Sequence, residues 1–464
     1  MNHDDLNHWS KRAADWATGY HKGLRDRPVR APLTPGALVA KLPGAAPESP
    51  EPMEQIWQDF QSLVPDALTH WQHPRFFAYF PANASPASML AEQLANAMAA
   101  QAMIWQTAPA ATEMEQVMIR WLAQALGLPE DFTGTIHDSA TTATLSAVLT
   151  MREAALDWQG NKGGLSGQPR LRLYASAETH SSVDKAARIA GIGQENLVKI
   201  PTDSAHSMKP CALAGAIAAD RVAGFLPIGV VLCAGGTSIG AFDRIRDSIA
   251  VAKTESLPVH VDAAWAGSAM ICPEFRELWD GVEAADSIVF NPHKWLGVQF
   301  DCAVQFLRNP GPQIRTLGLR PAYLETPGEE EITNFNEWTL PLGRRFRALK
   351  LWFHLRAYGL ENLRKMIRNH VIWAGEVRDR IATIPGVEIV TEPTLSLFTF
   401  ALSAGEDATA RLLERINDDG RIYLTQTRHG GRFVIRVQVG SFDCTAGDVA
   451  MIPSVIREMM EPPR

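Results

Sequence analysis

The sequence lacks the features that would place the protein in a membrane or around a metal ion. No window of the 464-residue chain approaches about 18 uninterrupted apolar residues, which a transmembrane helix needs. The five cysteines are odd in number and scattered without a C-x-x-C pair, which argues against a disulfide framework or a zinc site. The thirteen histidines form no H-x-x-x-H pattern of the metal-binding kind. We therefore expect no metal, no membrane contact and buried thiols.

Positive charge is not in excess either, since the formal net charge is −7 at pH 7. Such a chain has no basic field for nucleic acid, and we expect no nucleic-acid partner. Residues 1–5 lack the basic segment and apolar run of a secretory signal, so the expected location is the cytoplasm. The hydrophobic fraction of 46% and the charged fraction of 20% are those of an ordinary globular enzyme.

From Thr135 onward the chain alternates apolar runs with helical patterns. This alternation predicts an α/β fold with a mostly parallel central sheet and helices on both faces. The predicted strands are Gly134–His137, Leu171–Ala175, Val222–Leu232, Pro258–Val261, Ser287–Phe290 and Cys302–Phe306. The predicted helices between them are Ala140–Asp157, Ser182–Ala190, Pro210–Ala219 and Asp243–Ala252.

The patterns divide the chain into a helical N-terminal segment (1–83), a large α/β domain (84–375) and a small C-terminal α+β domain (376–464). Large apolar side chains recur at three- and four-residue steps near the N-terminus: Leu6, Trp9, Ala13, Trp16 and Tyr20. They predict an amphipathic helix whose aromatic face packs on a second subunit, with docking on its own chain as the alternative. A long helix is predicted over Arg344–Ile384, with a break near Gly359.

An acid and an amine each follow a predicted strand. Asp262 ends the run at Leu257–Val261, and Lys294 lies just past Ser287–Phe290, 32 residues after Asp262. This spacing fits a strand, a connection and a return strand, so both groups can meet at one edge of a parallel sheet. Taken alone, the lysine is a solvated loop residue and the aspartate a turn or helix cap. A lysine that forms a Schiff base with pyridoxal phosphate, beside an aspartate that pairs with the ring nitrogen, also needs this arrangement.

Three further loops follow predicted strands and precede helices. Asp138–Leu145 places small and hydroxylic residues at a helix N-terminus, which suits a phosphate group, although a plain helix cap has the same pattern. His180 could stack on a flat ring or relay a proton, whereas a lone loop histidine is more often solvated. Gly235–Ser238 offers tight backbone and a hydroxyl. If the sheet is parallel, all of these loops converge on one crevice.

Four stretches resemble the group II pyridoxal-phosphate-dependent decarboxylases, most closely the aromatic-L-amino-acid decarboxylases: His260–Arg276, Asn291–Trp295, Phe300–Cys302 and Pro341–Arg347. The resemblance runs from about Trp9 to about Ile456. It implies the fold of the type I pyridoxal-phosphate transferases. It also implies a homodimer with active sites at the subunit interface.

The resemblance assigns cofactor roles to residues of these loops. Lys294 would carry the internal aldimine, Asp262 would hold the ring nitrogen protonated, and His180 would stack over the ring. Ala264 would pack under the ring and Thr237 would contact the cofactor. The residues that would hold the phosphate are Ser139, Ala140, Thr141, Asn291 and His293. Relatives commonly have serine where this chain has Thr141, which keeps the hydroxyl.

The substrate is expected to be an aromatic amino acid. Trp71, Tyr79, Phe80 and Pro81 would form a wall for a flat side chain, with His180 nearby. The resemblance adds Gln101 and Met103 from the neighbouring subunit. Ala82 stands where some catechol-preferring relatives have threonine, so tryptophan, phenylalanine, tyrosine and dihydroxyphenylalanine all stay open.

Tyr323 matches a loop tyrosine that is implicated in protonating Cα after carbon dioxide leaves. Relatives that lose it tend toward aldehyde formation, so Tyr323 and His180 together favour decarboxylation to the amine. Gly328–Ile332 suits a mobile lid or a solvated loop. The alternatives are an aldehyde synthase, an aminotransferase, a decarboxylase of a non-aromatic amino acid and a noncatalytic homologue.

Overall fold

The computed structural model describes residues 1–319 and 332–461. The chain divides into two compact units, one made of Met1–Pro81 with Ile372–Arg464 and the other of Ala82–Val371. None of the helices in the described ranges combines the length and the apolar character needed to cross a bilayer. The N-terminal segment thus belongs to one unit together with the C-terminal segment.

The first unit begins with α1 (His3–Lys22) and α2 (Met53–Leu63). Asn2 caps α1, because its side chain accepts a hydrogen bond from the N–H of Asp5 at 2.9 Å and the carboxylate of Asp5 accepts one in return. The predicted aromatic face of α1 contacts α2, with the rings of Trp16 and Phe60 4.8 Å apart. These contacts lie within one chain, and packing on a partner subunit stays a prediction.

Eight α-helices of the described residues lie wholly within the second unit. They are α3 (Pro86–Met98), α4 (Pro109–Leu126), α5 (Ala140–Ala155), α6 (Gln159–Gly163), α7 (Ser181–Ile189), α8 (Pro210–Val222), α9 (Ile245–Thr254) and α10 (Gly311–Leu317). Its strands are β1 (Thr133–His137), β2 (Leu171–Ser176), β3 (Leu197–Ile200), β4 (Leu226–Cys233), β5 (Val259–Asp262), β6 (Ser287–Phe290) and β7 (Ala303–Leu307).

These seven strands form one sheet in the order β1-β7-β6-β5-β4-β2-β3. Strand β7 runs antiparallel to both of its neighbours, and the other pairs are parallel. The prediction of a mostly parallel sheet is therefore confirmed. Because β4, β5 and β6 are parallel neighbours, the residues at their carboxyl ends meet at one edge of the sheet.

Two details of the sheet differ from the sequence prediction. Strand β3 was not predicted, because its four residues at the sheet edge include exposed Lys199 and show only a weak apolar run. The strand that was predicted to start at Val222 starts only at Leu226. Val222 ends α8, and Gly224 turns the chain with a φ of 81°.

The remaining elements include the predicted long helix α11 (Arg347–Ala382), which breaks at Gly359, where φ is 68°. The C-terminal helices are α12 (Glu406–Asp419), α13 (Ala446–Ala450) and α14 (Ile452–Met460). The C-terminal strands are β8 (Val387–Thr394), β9 (Leu397–Leu402), β10 (Thr425–His429) and β11 (Arg432–Gln438). They form an antiparallel sheet in the order β10-β11-β9-β8, which confirms the α+β prediction for this region.

Candidate active site

A cavity of about 180 Å³ lies at the carboxyl edge of the large sheet. It is bounded by residues that follow β1, β2, β4, β5 and β6, so the predicted convergence of these loops is present. The lining residues are Ser139, Ala140, Thr141, His180, Cys233, Gly235, Gly236, Thr237, Asp262, Ala264, Trp265, Asn291 and Lys294.

Asp262 is the last residue of β5 and brings a buried carboxylate to this cavity. Asp262 is only 6% exposed. One carboxylate oxygen accepts a hydrogen bond from the N–H of Ala264 at 3.0 Å. A buried carboxylate is stabilised by a cation or a donor, so Asp262 can pair with a positively charged ring nitrogen.

Lys294 lies in a tight turn, Pro292–Leu296, directly after β6. Its backbone leaves the helical region, with φ −100° and ψ −110°. The side-chain amide of Asn83 donates to the carbonyl of Lys294 at 2.7 Å, and the N–H of Asn83 donates to the carbonyl of His293 at 3.0 Å. Asn83 was not predicted as a site residue, and its sequence context carries no signal for this role.

The turn is also fixed on its other side by the residue that follows Lys294. Trp295 is fully buried, and its indole N–H donates to Nδ1 of His370 at 2.9 Å. Its ring packs 5.6 Å from that of Trp265, which lines the cavity. The position of the lysine backbone thus depends on side chains far away in sequence.

The N-terminus of α5 forms one end of the cavity and could bind an anion there. Ser139 caps the helix, and its hydroxyl accepts a hydrogen bond from the N–H of Thr142 at 3.2 Å. The cap leaves the N–H groups of Ala140 and Thr141 at the start of a sixteen-residue helix. N–H groups in this position, together with the helix dipole, attract a phosphate.

His180 caps α7 and is held by Ser182. Its Nδ1 accepts from the backbone N–H of Ser182 at 3.1 Å and lies 2.9 Å from the hydroxyl of the same residue. Nδ1 is therefore the unprotonated nitrogen, and Nε2 carries the hydrogen. Desolvation is the main cause that lowers the pKa of His180, while Asp262 opposes the shift and Lys294 adds to it. The lowered pKa favours the neutral ring, with Nε2–H as a donor.

Buried Asp243 fixes the end of β4 beside the cavity. Its carboxylate accepts from the N–H of Cys233 at 2.7 Å and from the N–H of Met208 at 2.8 Å. Burial raises the pKa of Asp243 to about 6 in spite of these donors. The next loop needs glycine at position 235, where φ is 89° and a Cβ would lie 2.4 Å from Cβ of Ala266.

Comparisons with known proteins agree with this geometry. The sequence model described as the pyridoxal-dependent decarboxylase conserved domain matches residues 35–403. This chain belongs to the pyridoxal-dependent decarboxylase family. It is a pyridoxal-phosphate-dependent amino-acid decarboxylase, and pyridoxal phosphate is its cofactor.

Relatives and solved structures cover nearly the whole decarboxylase chain. Aromatic-L-amino-acid decarboxylase of Sus scrofa is 39% identical over 98% of this chain and 96% of its own. Phenylacetaldehyde synthase of Arabidopsis thaliana is 35% identical over 95% of this chain and 93% of its own. The crystal structure of Oryza sativa TDC with PLP and tryptamine superposes with a TM-score of 0.95, at 35% identity, over 99% of this chain and 98% of that one.

The residues of the cavity fit this cofactor. Lys294 supplies the amine, Asp262 the carboxylate and α5 the anion-binding N–H groups. In addition, Oδ1 of Asn291 is buried at the cavity and has no hydrogen-bond partner within the described part of the chain. A buried side-chain amide whose oxygen lacks a hydrogen-bond partner is typical of a site that binds a polar group.

His293 is a predicted phosphate residue that does not line the cavity. Its ring is buried, and its Nδ1 accepts from the N–H of Cys302 at 2.8 Å. Burial is the main cause that lowers the pKa of His293 to about 3, and Lys294 and Lys350 lower it further. The neutral ring contributes no charge to the anion-binding end, and its contact with phosphate stays a prediction.

The predicted substrate residues fall in both units. Trp71 stacks on Phe76 and on Tyr79, with ring centroids 4.7 and 5.6 Å apart, while Phe80 and Pro81 are buried in the same unit. Trp71 and Tyr79 are 41% and 45% exposed, so they form an aromatic surface.

Ala82, Gln101 and Met103 belong to the unit that contains the cavity, although none of them lines it. Gln101 accepts a hydrogen bond from the N–H of Arg344 at 2.7 Å. Tyr323 lies outside the described residues, as does most of the predicted lid. Within residues 1–319 and 332–461, no group of three or more potential ligands could hold a metal ion.

Proposed function

We propose that the protein decarboxylates an aromatic L-amino acid, namely tryptophan, phenylalanine, tyrosine or dihydroxyphenylalanine, to the arylalkylamine and carbon dioxide. The observation that carries the proposal is the meeting of Lys294, Asp262 and His180 at one cavity. The aromatic substrate class is supported by relatives named as aromatic amino-acid decarboxylases and by the exposed stack of Trp71 on Tyr79.

When bound, pyridoxal phosphate supplies an electron sink for the electron pair that remains at Cα when carbon dioxide leaves. Lys294 would hold it covalently, and the N–H groups at the start of α5 would hold its phosphate. The carboxylate of Asp262 would stabilise a proton on the ring nitrogen, because a buried acid strongly favours a neighbouring cation.

The residues of the chain then orient groups and move protons. Ser182 keeps Nδ1 of His180 as an acceptor, so its Nε2–H can donate to a substrate carboxylate or to the cofactor. We assign the return of a proton to Cα to Tyr323, with His180 as the second candidate. Orienting the substrate carboxylate for the loss of carbon dioxide is a matter of positioning, which these fixed side chains can provide.

The proposal also includes a cytoplasmic homodimer with active sites at the subunit interface. Trp71, Tyr79, Phe80, Pro81 and Ala82 would contact the substrate side chain. Gln101 and Met103 would come from the partner subunit.

An aldehyde-forming activity is the second candidate function. It is supported by the relative named phenylacetaldehyde synthase. The amine product keeps the nitrogen of the substrate, whereas the aldehyde product does not. Amine and aldehyde are therefore measured in the same reaction.

The test is product release by the cofactor-loaded enzyme across the four aromatic amino acids, with glutamate as the acidic comparison. We expect one amine per carbon dioxide from at least one aromatic substrate. Aldehyde without stoichiometric amine, or turnover of glutamate alone, would contradict the proposal.

Two variants test the assigned roles. Lys294→Ala should abolish turnover and the visible absorbance of the covalently held cofactor, whereas exposed Lys253→Ala, its matched control, should not. Tyr323→Phe should reduce amine release far more than substrate binding. Wild-type turnover by Lys294→Ala or an unchanged product ratio for Tyr323→Phe would overturn the respective role.

A further inference from the structure

A second cavity, of about 170 Å³, lies at the opposite edge of the large sheet. It includes Val259 and Ser287, the first residues of β5 and β6, whereas the active site lies at the carboxyl ends of these strands. The lining residues are Ala147, Thr150, Met151, Ala154, Pro258, Val259, Asp286, Ser287, Leu307, Asn309, Pro312 and Gln313. Nothing in the proposed reaction uses this cavity.

The inner wall of the second cavity is apolar. Ala147 and Met151 of α5 are each 4% exposed, as is Leu307, and Val259 is 1% exposed. A cavity of about 150 Å³ with such walls accepts a molecule the size of benzene. The inner part therefore fits one aromatic ring.

The buried polar groups of the cavity already have partners. Ser287 Oγ lies 2.9 Å from Nδ1 of His260 and accepts from Nε2 of Gln305 at 3.0 Å. Gln313 exchanges two hydrogen bonds of 3.0 Å with Gln305. The hydroxyl of Thr150 donates to a carbonyl one helical turn earlier at 2.8 Å. The inner part of a ligand consequently needs no polar group.

The mouth of the cavity carries a negative charge. Asp286 is exposed, and one of its oxygens accepts from the N–H of Val259 at 2.8 Å. No ion pair of Asp286 occurs among the described residues, and nearby Arg308 pairs with Asp131 at 3.6 Å instead. A carboxylate at the rim of an apolar pocket favours a ligand whose ring enters the pocket and whose cationic group stays at the surface.

We propose that this second cavity binds a primary arylalkylammonium ion, with the ring between Met151 and Leu307 and the ammonium group at Asp286. Arylalkylamines are also the products of the proposed function, so the physiological relevance of this ligand rests on the proposed function. The assignment of the binding site does not rest on that function, because the ligand class follows from the size, the apolar wall and the charge of the cavity.

The test is equilibrium binding of 2-(4-fluorophenyl)ethylamine to the cofactor-loaded enzyme, followed by ¹⁹F NMR. Asp286→Asn keeps the acceptor for Val259 N–H but removes the charge, and should weaken binding at this site about fivefold, the order expected for an exposed ion pair. Ala154→Phe, at an exposed helical position of the mouth, should block the site without disturbing the core. The matched control is Glu283→Gln, which removes the same charge three residues away, outside the cavity.

A neutral probe separates charge from shape. We expect 2-(4-fluorophenyl)ethanol to bind more weakly than the amine and to be indifferent to Asp286→Asn. Unchanged amine binding in both Asp286→Asn and Ala154→Phe, or equal losses in Glu283→Gln, would overturn the proposal. Amine binding that is sensitive to both variants in a protein without amine release would support this site and overturn only the proposed function.

Discussion

Glu115 of α4 and Arg344 form an ion pair in the interior of the large unit, next to strand β1, which leads to Ser139 and the N-terminus of α5. Their charged atoms lie 2.6 Å apart, and their side chains are 3% and 2% exposed. Glu115 also accepts from the hydroxyl of Thr135 and from the N–H of Ile136, both at 2.8 Å. Replacing Arg344 by Met therefore leaves a carboxylate buried with only neutral donors.

Breaking a buried ion pair on one side costs about 3–5 kcal/mol. At about 2 °C per kcal/mol for a large folding unit, Arg344→Met should lower the midpoint of thermal unfolding by about 6–10 °C. Thermal unfolding of the cofactor-loaded protein is followed by circular dichroism at one protein and cofactor concentration. The double variant Glu115→Gln with Arg344→Met removes both charges and keeps an acceptor for Thr135 and Ile136. We expect it to be more stable than Arg344→Met alone.

The matched control is Arg246→Met, which breaks an exposed pair with Asp280 at 2.6 Å. Both of its side chains are about 60% exposed, so the loss should stay below about 1 kcal/mol. Equal shifts for Arg344→Met and Arg246→Met would refute the reasoning. The reasoning would also be refuted if the double variant lost as much stability as the two single variants together, because buried partners must couple.

Three further predictions concern single contacts. Ser182→Ala removes one hydrogen bond to His180 and should lower kcat about fivefold and shift its pH profile, with rescue by Ser182→Thr. Gly134→Ala would place a Cβ 2.1 Å from the carbonyl oxygen of Gln305 and should cost about 2–3 kcal/mol in urea unfolding. Burial lowers the pKa of His370 to about 3, so its contribution to stability is complete above about pH 6.5 and is lost as pH falls toward 3. His370→Gln should make the fall in the unfolding midpoint between pH 6.5 and 5 shallower.

Each of these predictions has a matched control. Ser181→Ala changes the neighbouring hydroxyl and should leave kcat and the pH profile unchanged. Gly163→Ala places a Cβ in open space and should leave the urea midpoint within about 0.5 kcal/mol. Exposed His8→Gln should not alter the pH dependence of unfolding. A control that changes as much as its test variant would contradict the corresponding prediction.

Much of the fold was predictable because the buried strands of a parallel sheet are continuous apolar runs. Ser287–Phe290 was predicted at its observed bounds, and Leu171–Ala175 within one residue. Strand β3 was missed because an edge strand is half exposed and keeps a weak pattern. The start of β4 was misplaced because the apolar segment from Val222 contains the end of α8 and the turn at Gly224 before the strand begins, so hydrophobicity alone does not mark the boundary.

The candidate site was predictable where residues follow strands, since strand direction places such residues at one edge. Thus Asp262, Lys294 and His180 were predicted together and lie on one cavity. Asn83 and Asp243 were not predicted as site residues, because their roles consist of hydrogen bonds to the backbone of distant residues. No local pattern of residue types records such a contact.

By itself, the sequence determined the residue types that the chemistry needs and the order of strands and loops that carries them, since both are read from local pattern and spacing. Only the tertiary structure decided which nitrogen of His180 carries the hydrogen, how the turn at Lys294 is held and where a second cavity remains open. These properties depend on distances and burial between segments far apart in the chain. Hydrogen bonds and desolvation act over those distances, and neither is visible in a linear pattern.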